Sequence, residues 1–304
     1  MMPTLWDLIL LLLLVAYAAT QLGVLAAWGV HTYYVRRGMP GLFAQRWSFL
    51  DLWVGFHLAL LFTFASLAAM AAVTGFLLTV FSAQQAPLWQ RAFSALDRNT
   101  PLFWAGLLCL LLAQNGALVV VAVGYTLGKY GMDLARVGLL WNWRTARKGI
   151  WWGALAFLIT PLVELLSVGV LKLMLGASTF ERLMNWERQN VALDALAESL
   201  QPGVLLLAFV LVVAVAAPIG EELFFRGFVF NVLRHRMKET SAVWLSAALF
   251  ALLHASAKNF LPILVIGVLL ARLYARTGSL WSCVMMHGTF NFLSAMAAMI
   301  LGGR

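Results

Sequence analysis

An all-α polytopic membrane protein of about eight transmembrane helices, with a conical or bundle-like core in the last four to five, is the fold class this sequence predicts. Three observations predict it. Of the 304 residues, 63% are hydrophobic and 11% charged, with a mean hydropathy of +0.89; too little polar side chain remains to cover a water-soluble globule of that length. The apolar residues fall in runs, most of them near the roughly 20 residues a helix needs to cross the hydrocarbon core. The connections between the runs alternate in charge, as expected where cytoplasmic loops are enriched in Lys and Arg.

The first run, Leu5 to Val30, has no Lys or Arg before it, carries Asp7, and outlasts the roughly 7 to 15 apolar residues of a secretory signal. Although Ala16-Tyr17-Ala18 resembles a signal-peptidase site, the run reads as a retained first helix. Spans follow at about Phe49 to Phe81, Leu102 to Leu127, Ile150 to Leu175 and Val204 to Leu233. Ala242 to Ala255 and Phe260 to Tyr274 are short, as suits helices packed inside a bundle, and Leu280 to Leu301 completes eight. Basic residues concentrate in alternate loops: Arg36, Arg37 and Arg46; Lys129, Arg136, Arg144, Arg147 and Lys148; Arg234, Arg236 and Lys238; Arg272 and Arg276. Glu181, Glu187, Asp194 and Glu198 lie on the other side, so eight helices with both termini outside fit the pattern. The net charge of +9 is scattered between apolar runs, which makes it a topology signal and excludes a nucleic-acid patch.

Two connections have character of their own. Gly131 to Gly149 interleaves Leu140, Trp141 and Trp143 with arginines, as in an amphipathic stretch at the cytoplasmic interface. Ser178 to Ser199 opens with Ser178-x-x-Glu181, a capping-box spacing, and reads as a short outer surface helix. Cys109 and Cys283 sit in apolar runs without CxxC or zinc spacing and read as packing residues. No linker, low-complexity tract or internal repeat divides the chain; residues 1–130 are read as about three N-terminal helices and residues 131–304 as the chemical core.

The core is organised around Pro218 to Phe230, where Glu221, Glu222 and Arg226 stand in an apolar run. Each ionised side chain at the centre of a spanning helix costs roughly 2.5 to 3.5 kcal/mol, so three within six positions must be paired or used. Glu222 and Arg226 are four apart on one face, acid before base, the favourable order for an ion pair. Glu221 points about 100° away, with no basic side chain three or four positions from it, and is left available for proton transfer. Pro218 and Gly220 weaken the helix just before it. His254, His287 and Asn291 interrupt the later helices, the last two one turn apart on one face. At 1.5 Å per residue, Glu221 and His254 both lie roughly 25 Å from the turn near Met237, and His287 and Asn291 roughly 10 to 17 Å into the last helix. All four can meet at one level. His57, Gln114, Asn115, Glu164 and Lys172 are polar residues in apolar runs without a matching pattern; Glu164 alone lies near the same depth, about 21 Å in from Ile150.

Glu221-Glu222-x-x-x-Arg226, Phe250-x-x-x-His254 and His287-x-x-x-Asn291, in that order on successive helices, resemble the motif set of the CAAX prenyl protease type II family, the CPBP or Abi intramembrane proteases. Arg276 to Trp281 is similar to the family's approach to its last motif, and the resemblance covers about Ile150 to Ser294. It implies an intramembrane endopeptidase in which Glu221 and His254 activate water while His287 and Asn291 bind the oxyanion, with Glu222, Arg226 and Phe250 in support. That agrees with the side-chain chemistry, a general base beside hydrogen-bond donors. A zinc ion held by Glu221, His254 and His287 is the competing mechanism; without HExxH, and with Asn a poor zinc ligand, a metal-free and cofactor-free site is preferred. The partners expected are the bilayer, which the basic inner loops suggest is a bacterial inner membrane, and a membrane-associated peptide or protein substrate. A non-catalytic binding or immunity protein, or a small transporter, is the alternative from another class, although transporters more often repeat their polar broken helices in both halves.

Overall fold

The computed structural model describes residues 48–81, 101–129, 134–190 and 204–302, and among them all regular structure is helical. The expected first helix, Leu5 to Val30, lies outside the described residues. Helix α1 is Phe49–Phe81 and α2 is Pro101–Val123, running on into a π-helical turn Gly124–Lys129. After a single turn, α3, at Leu134–Val137, come α4 at Trp143–Leu175 and α5 at Ala177–Asn190. Helix α6 is continuous from Val204 to Arg234 but changes register on the way, and is followed by α7 at Glu239–Leu253, α8 at Ala257–Thr277 and α9 at Leu280–Gly302.

Six of these, α1, α2, α4, α6, α8 and α9, are long and apolar enough to cross a membrane among the described residues. Helix α7 has 15 residues, about 22 Å at 1.5 Å per residue, and stops inside the bundle at His254. The expectation that the next helix is also short needs correcting. Helix α8 gains three residues at each end, because Ser256 caps its start by accepting from the Asn259 amide and Gly278, in the left-handed conformation, ends it.

Within Gly131 to Gly149 the chain from Gly138 to Asn142 is irregular, tied down by Leu280 N–H donating to the Gly138 carbonyl and Trp281 Nε1 to that of Leu139. Leu140, Trp141 and Trp143 remain exposed, which suits a membrane interface. Ser178 falls within the first turn of α5 and does not cap it; the Gly176 carbonyl accepts the first helical bond, from Phe180.

Inside a bilayer helices gain no hydrophobic free energy from meeting each other, so close packing and hydrogen bonds hold them together. The pair α4 and α9 shows how. Gly149 and Gly153 lie one turn apart, and a Cβ on either would overlap the Ser282 or Met286 carbonyl of α9. Gly267 of α8 packs on Ala247 of α7, where a Cβ would come within 3.0 Å of the Ala247 Cα. Helix α6 runs through the middle, with every residue from Glu222 to Leu233 buried. Its Phe224, Phe228 and Phe230 form the centre of the core, and Tyr125 of the π turn stacks on Phe228.

Candidate active site

The register change in α6 begins with Pro218. The segment Val212–Ala216 is π-helical, so that the Ala217 amide donates to the Val212 carbonyl, five residues back. In that register the next donor, for the Val213 carbonyl, would be residue 218. Proline has no N–H, so the Val213 carbonyl is free within its own helix. Asn291 of α9 takes it, Nδ2 donating at 2.9 Å. Gly288, one turn earlier on α9, makes room: a Cβ there would stand 2.5 Å from the Ala214 carbonyl. The weakening expected at Pro218 and Gly220 is thus a shift of register and not a break. A second π segment, Leu223–Phe230, follows the two glutamates, so the α-helical stretch Ala217–Glu222 is flanked on both sides by altered turns.

Glu222 and Arg226 form the ion pair the spacing predicts, Nη1 to Oε1 at 3.0 Å with both side chains fully buried. The pair has further partners. Arg226 Nη2 donates to the Gly267 carbonyl of α8 at 3.2 Å, and its guanidinium lies 4.7 Å from the Phe250 ring centre. His287 Nδ1 lies 2.9 Å from the same Glu222 oxygen, and its Nε2 lies 3.9 Å from Glu221 Oε2. Glu222 therefore serves two groups, Arg226 and His287. Since an ionised carboxylate only accepts, Nδ1 of His287 is a donor. In His254, Nδ1 lies 2.7 Å from the Phe250 carbonyl and is likewise a donor, so that in the neutral ring Nε2 carries the free lone pair. Phe250 meets the rings of both histidines edge-on, at 4.6 and 5.7 Å between centres.

Glu221, His254, His287 and Asn291, predicted to meet, all line one cavity of about 450 Å³. Glu221 is 17% exposed there, and its Oε2 has no hydrogen-bond partner among the described residues. The wall includes residues read from sequence as lacking a pattern: Gln114 and Asn115 of α2, and Glu164 of α4. Glu164 pairs with Lys258, near the start of α8, a stabilising contact beside the site. Asn115 packs on Gly220, where a Cβ would come within 2.8 Å of its Oδ1; that oxygen is buried without a partner among the described residues. Its only sequence signal is polarity in an apolar run.

A zinc site needs three or four donors at about 2.0 to 2.3 Å from the ion. Among the described residues no three His, Cys, Asp or Glu side chains converge closely enough to hold a metal ion. Glu221 and His287 come within 3.9 Å of each other, and both histidines commit Nδ1 to an acceptor, an arrangement that leaves each Nε2 free to accept from water or to bind a metal.

Residues 203–293, α6 to most of α9, match the family model described as type II CAAX prenyl endopeptidase Rce1-like. The resemblance seen in the three motifs is borne out over this stretch, although the match starts at residue 203 and leaves α4 outside it. That stretch is similar to the type II CAAX prenyl endopeptidases and lies within a multi-pass helical membrane protein. Among curated proteins, the one named "Putative membrane peptidase YdiL" from Bacillus subtilis (strain 168) is 32% identical over 82 residues, which are 27% of this chain and 34% of that protein. The chain thus spans about a third of the length of the curated relative it matches. No solved structure matches it.

Proposed function

We propose that this protein is an intramembrane endopeptidase that hydrolyses a peptide bond of a membrane-associated protein or peptide with a water activated by Glu221 and His254, without a metal. The observation that carries the reading is the convergence of Glu221, His254, His287 and Asn291 on one cavity walled by helices. The Glu221 carboxylate and Nε2 of His254 are both acceptors. A water between them donates one hydrogen to each, which turns its oxygen lone pair outward to the substrate carbonyl. As the C–O bond forms, Glu221 takes the proton; when the C–N bond breaks, it returns that proton to the leaving amine. Negative charge on the carbonyl oxygen is met by the second Nδ2 hydrogen of Asn291, the first being held by Val213. His287, whose Nδ1 proton is committed to Glu222, adds a second hydrogen bond to that oxygen when Nε2 also carries a proton.

The family match and the similarity to a membrane peptidase support a peptidase, and the basic loops support a bacterial inner membrane with both termini outside. The competing reading, a non-catalytic protein whose polar cluster only holds the bundle together, draws on the burial of Glu222 and Arg226. Comparative proteomics of cells carrying the parent chain or Glu221→Ala separates the two. A peptidase leaves a membrane-associated peptide uncleaved in the variant at unchanged protein abundance. Loss of the variant protein itself, with no accumulating peptide, would contradict the proposal. Exhaustive chelation of the purified protein should leave cleavage intact; its loss, restored by zinc, would overturn the metal-free mechanism.

A further inference from the structure

His254 occupies an awkward place. It ends α7 inside the bundle, the next residue, Ala255, is the sole non-glycine residue with positive φ (50°) among the described residues, and α8 starts at Ala257. A tight turn of this kind exposes the first amides of α8, which no carbonyl in their own helix can satisfy. Irregular backbone within a membrane protein persists only where protein or water meets those groups. Here one side chain meets most of them. Glu187 of α5, about 70 positions earlier in the chain, accepts from the Ala257 amide at Oε1, and from the Ser256 hydroxyl at 3.3 Å and the Lys258 amide at 3.5 Å at Oε2. Ser256 in turn accepts from the Asn259 amide at 3.2 Å. All three leading amides of α8 are thereby satisfied by two side chains.

The rest of α5 shows that this contact is built. The helix is polar and largely exposed, with Glu181 and Trp186 open, yet Phe180 and Glu187, two turns apart on one face, are both buried. Helix α4 adds a second tie, the Ser167 hydroxyl donating to the Lys258 carbonyl at 2.8 Å. We infer that α5 is a strap across the outer end of the site and that Glu187 is a positioning residue for His254, fixing the turn that carries the imidazole. Its importance for turnover rests on the peptidase reading above; the clamp itself does not. Sequence reasoning saw Glu187 only as one acidic residue of an outer loop.

The test uses the full chain in detergent and two readouts that need no substrate. Hydrogen exchange at Ala257 and Lys258 should be about tenfold faster in Glu187→Ala than in the parent, the size expected from losing a helix cap. Modification of His254 by diethyl pyrocarbonate, followed by mass spectrometry against the exposed His235, should rise by about threefold in the same variant, once the turn is released. Glu181→Ala, on the outer face of the same helix, should change neither. Should Glu187→Ala fail to fold, Glu187→Gln, which keeps the shape and one acceptor oxygen, should show both changes in reduced form. Parent-like exchange at Ala257 and Lys258 would overturn the clamp. Faster exchange with unaltered His254 reactivity would reduce Glu187 to a helix cap and overturn its positioning role. If instead Glu221→Ala left cleavage intact, the peptidase reading would fall while these results stood.

Discussion

His287 stands between two carboxylates of unlike duty, one fully buried and paired, the other facing the cavity. The difference is testable by deleting each. Glu222→Ala leaves Arg226 buried without its counter-charge, a change that typically costs about 3 to 5 kcal/mol, so thermal unfolding in detergent should show a clear loss of stability. Glu221→Ala removes an oxygen that has no hydrogen-bond partner among the described residues, and should leave the unfolding midpoint near that of the parent. Asn291→Ala removes the proposed oxyanion donor and should lower the cleavage rate by about 10² to 10³. At this scale the sequence is only partly legible. The Glu222–Arg226 pair follows from a four-residue spacing on one helix, which needs no knowledge of the fold. The bond from His287 to Glu222 joins residues 65 apart and depends on how α6 and α9 are rotated, which spacing along either helix does not fix.

Helix α6 sets that rotation through its π segments, and Pro218 is the residue behind the first of them. Pro218→Ala would supply the missing N–H to the preceding turn, in competition with Asn291 for the Val213 carbonyl. Cleavage should fall while the fold persists, measured as rate and as unfolding midpoint on the same preparation. Helix α9 is held to α4 by contact at Gly149 and Gly153. Gly153→Leu forces the pair apart, at a cost of about 1 to 3 kcal/mol for overpacking, and should lower the midpoint. The positions of seven helices were legible because length and apolarity alone define a span. Their register changes were not: a π turn arises from the balance between a missing amide and the packing of a neighbouring helix, and the proline signals only the first half of that balance.

For the molecule as a whole, the family match covers residues 203–293, yet the cavity is also lined by Gln114 and Asn115 of α2 and Glu164 of α4, and the His254 turn is tied to α5. The motif segment therefore sits beside a wall that other parts of the chain help to build. The wall's residues give little sign of themselves in sequence, because a lone polar side chain in an apolar run is more often a packing contact than part of a site. The proposed function depends on Glu221 activating the hydrolytic water. It is tested most directly by single-turnover cleavage of the accumulating peptide by the purified full chain, comparing the parent with Glu221→Gln after exhaustive chelation. The expected result is a rate lower by about 10² to 10⁴ at an unchanged unfolding midpoint, the contribution of a positioned general base. Cleavage by Glu221→Gln at the parent rate would contradict it.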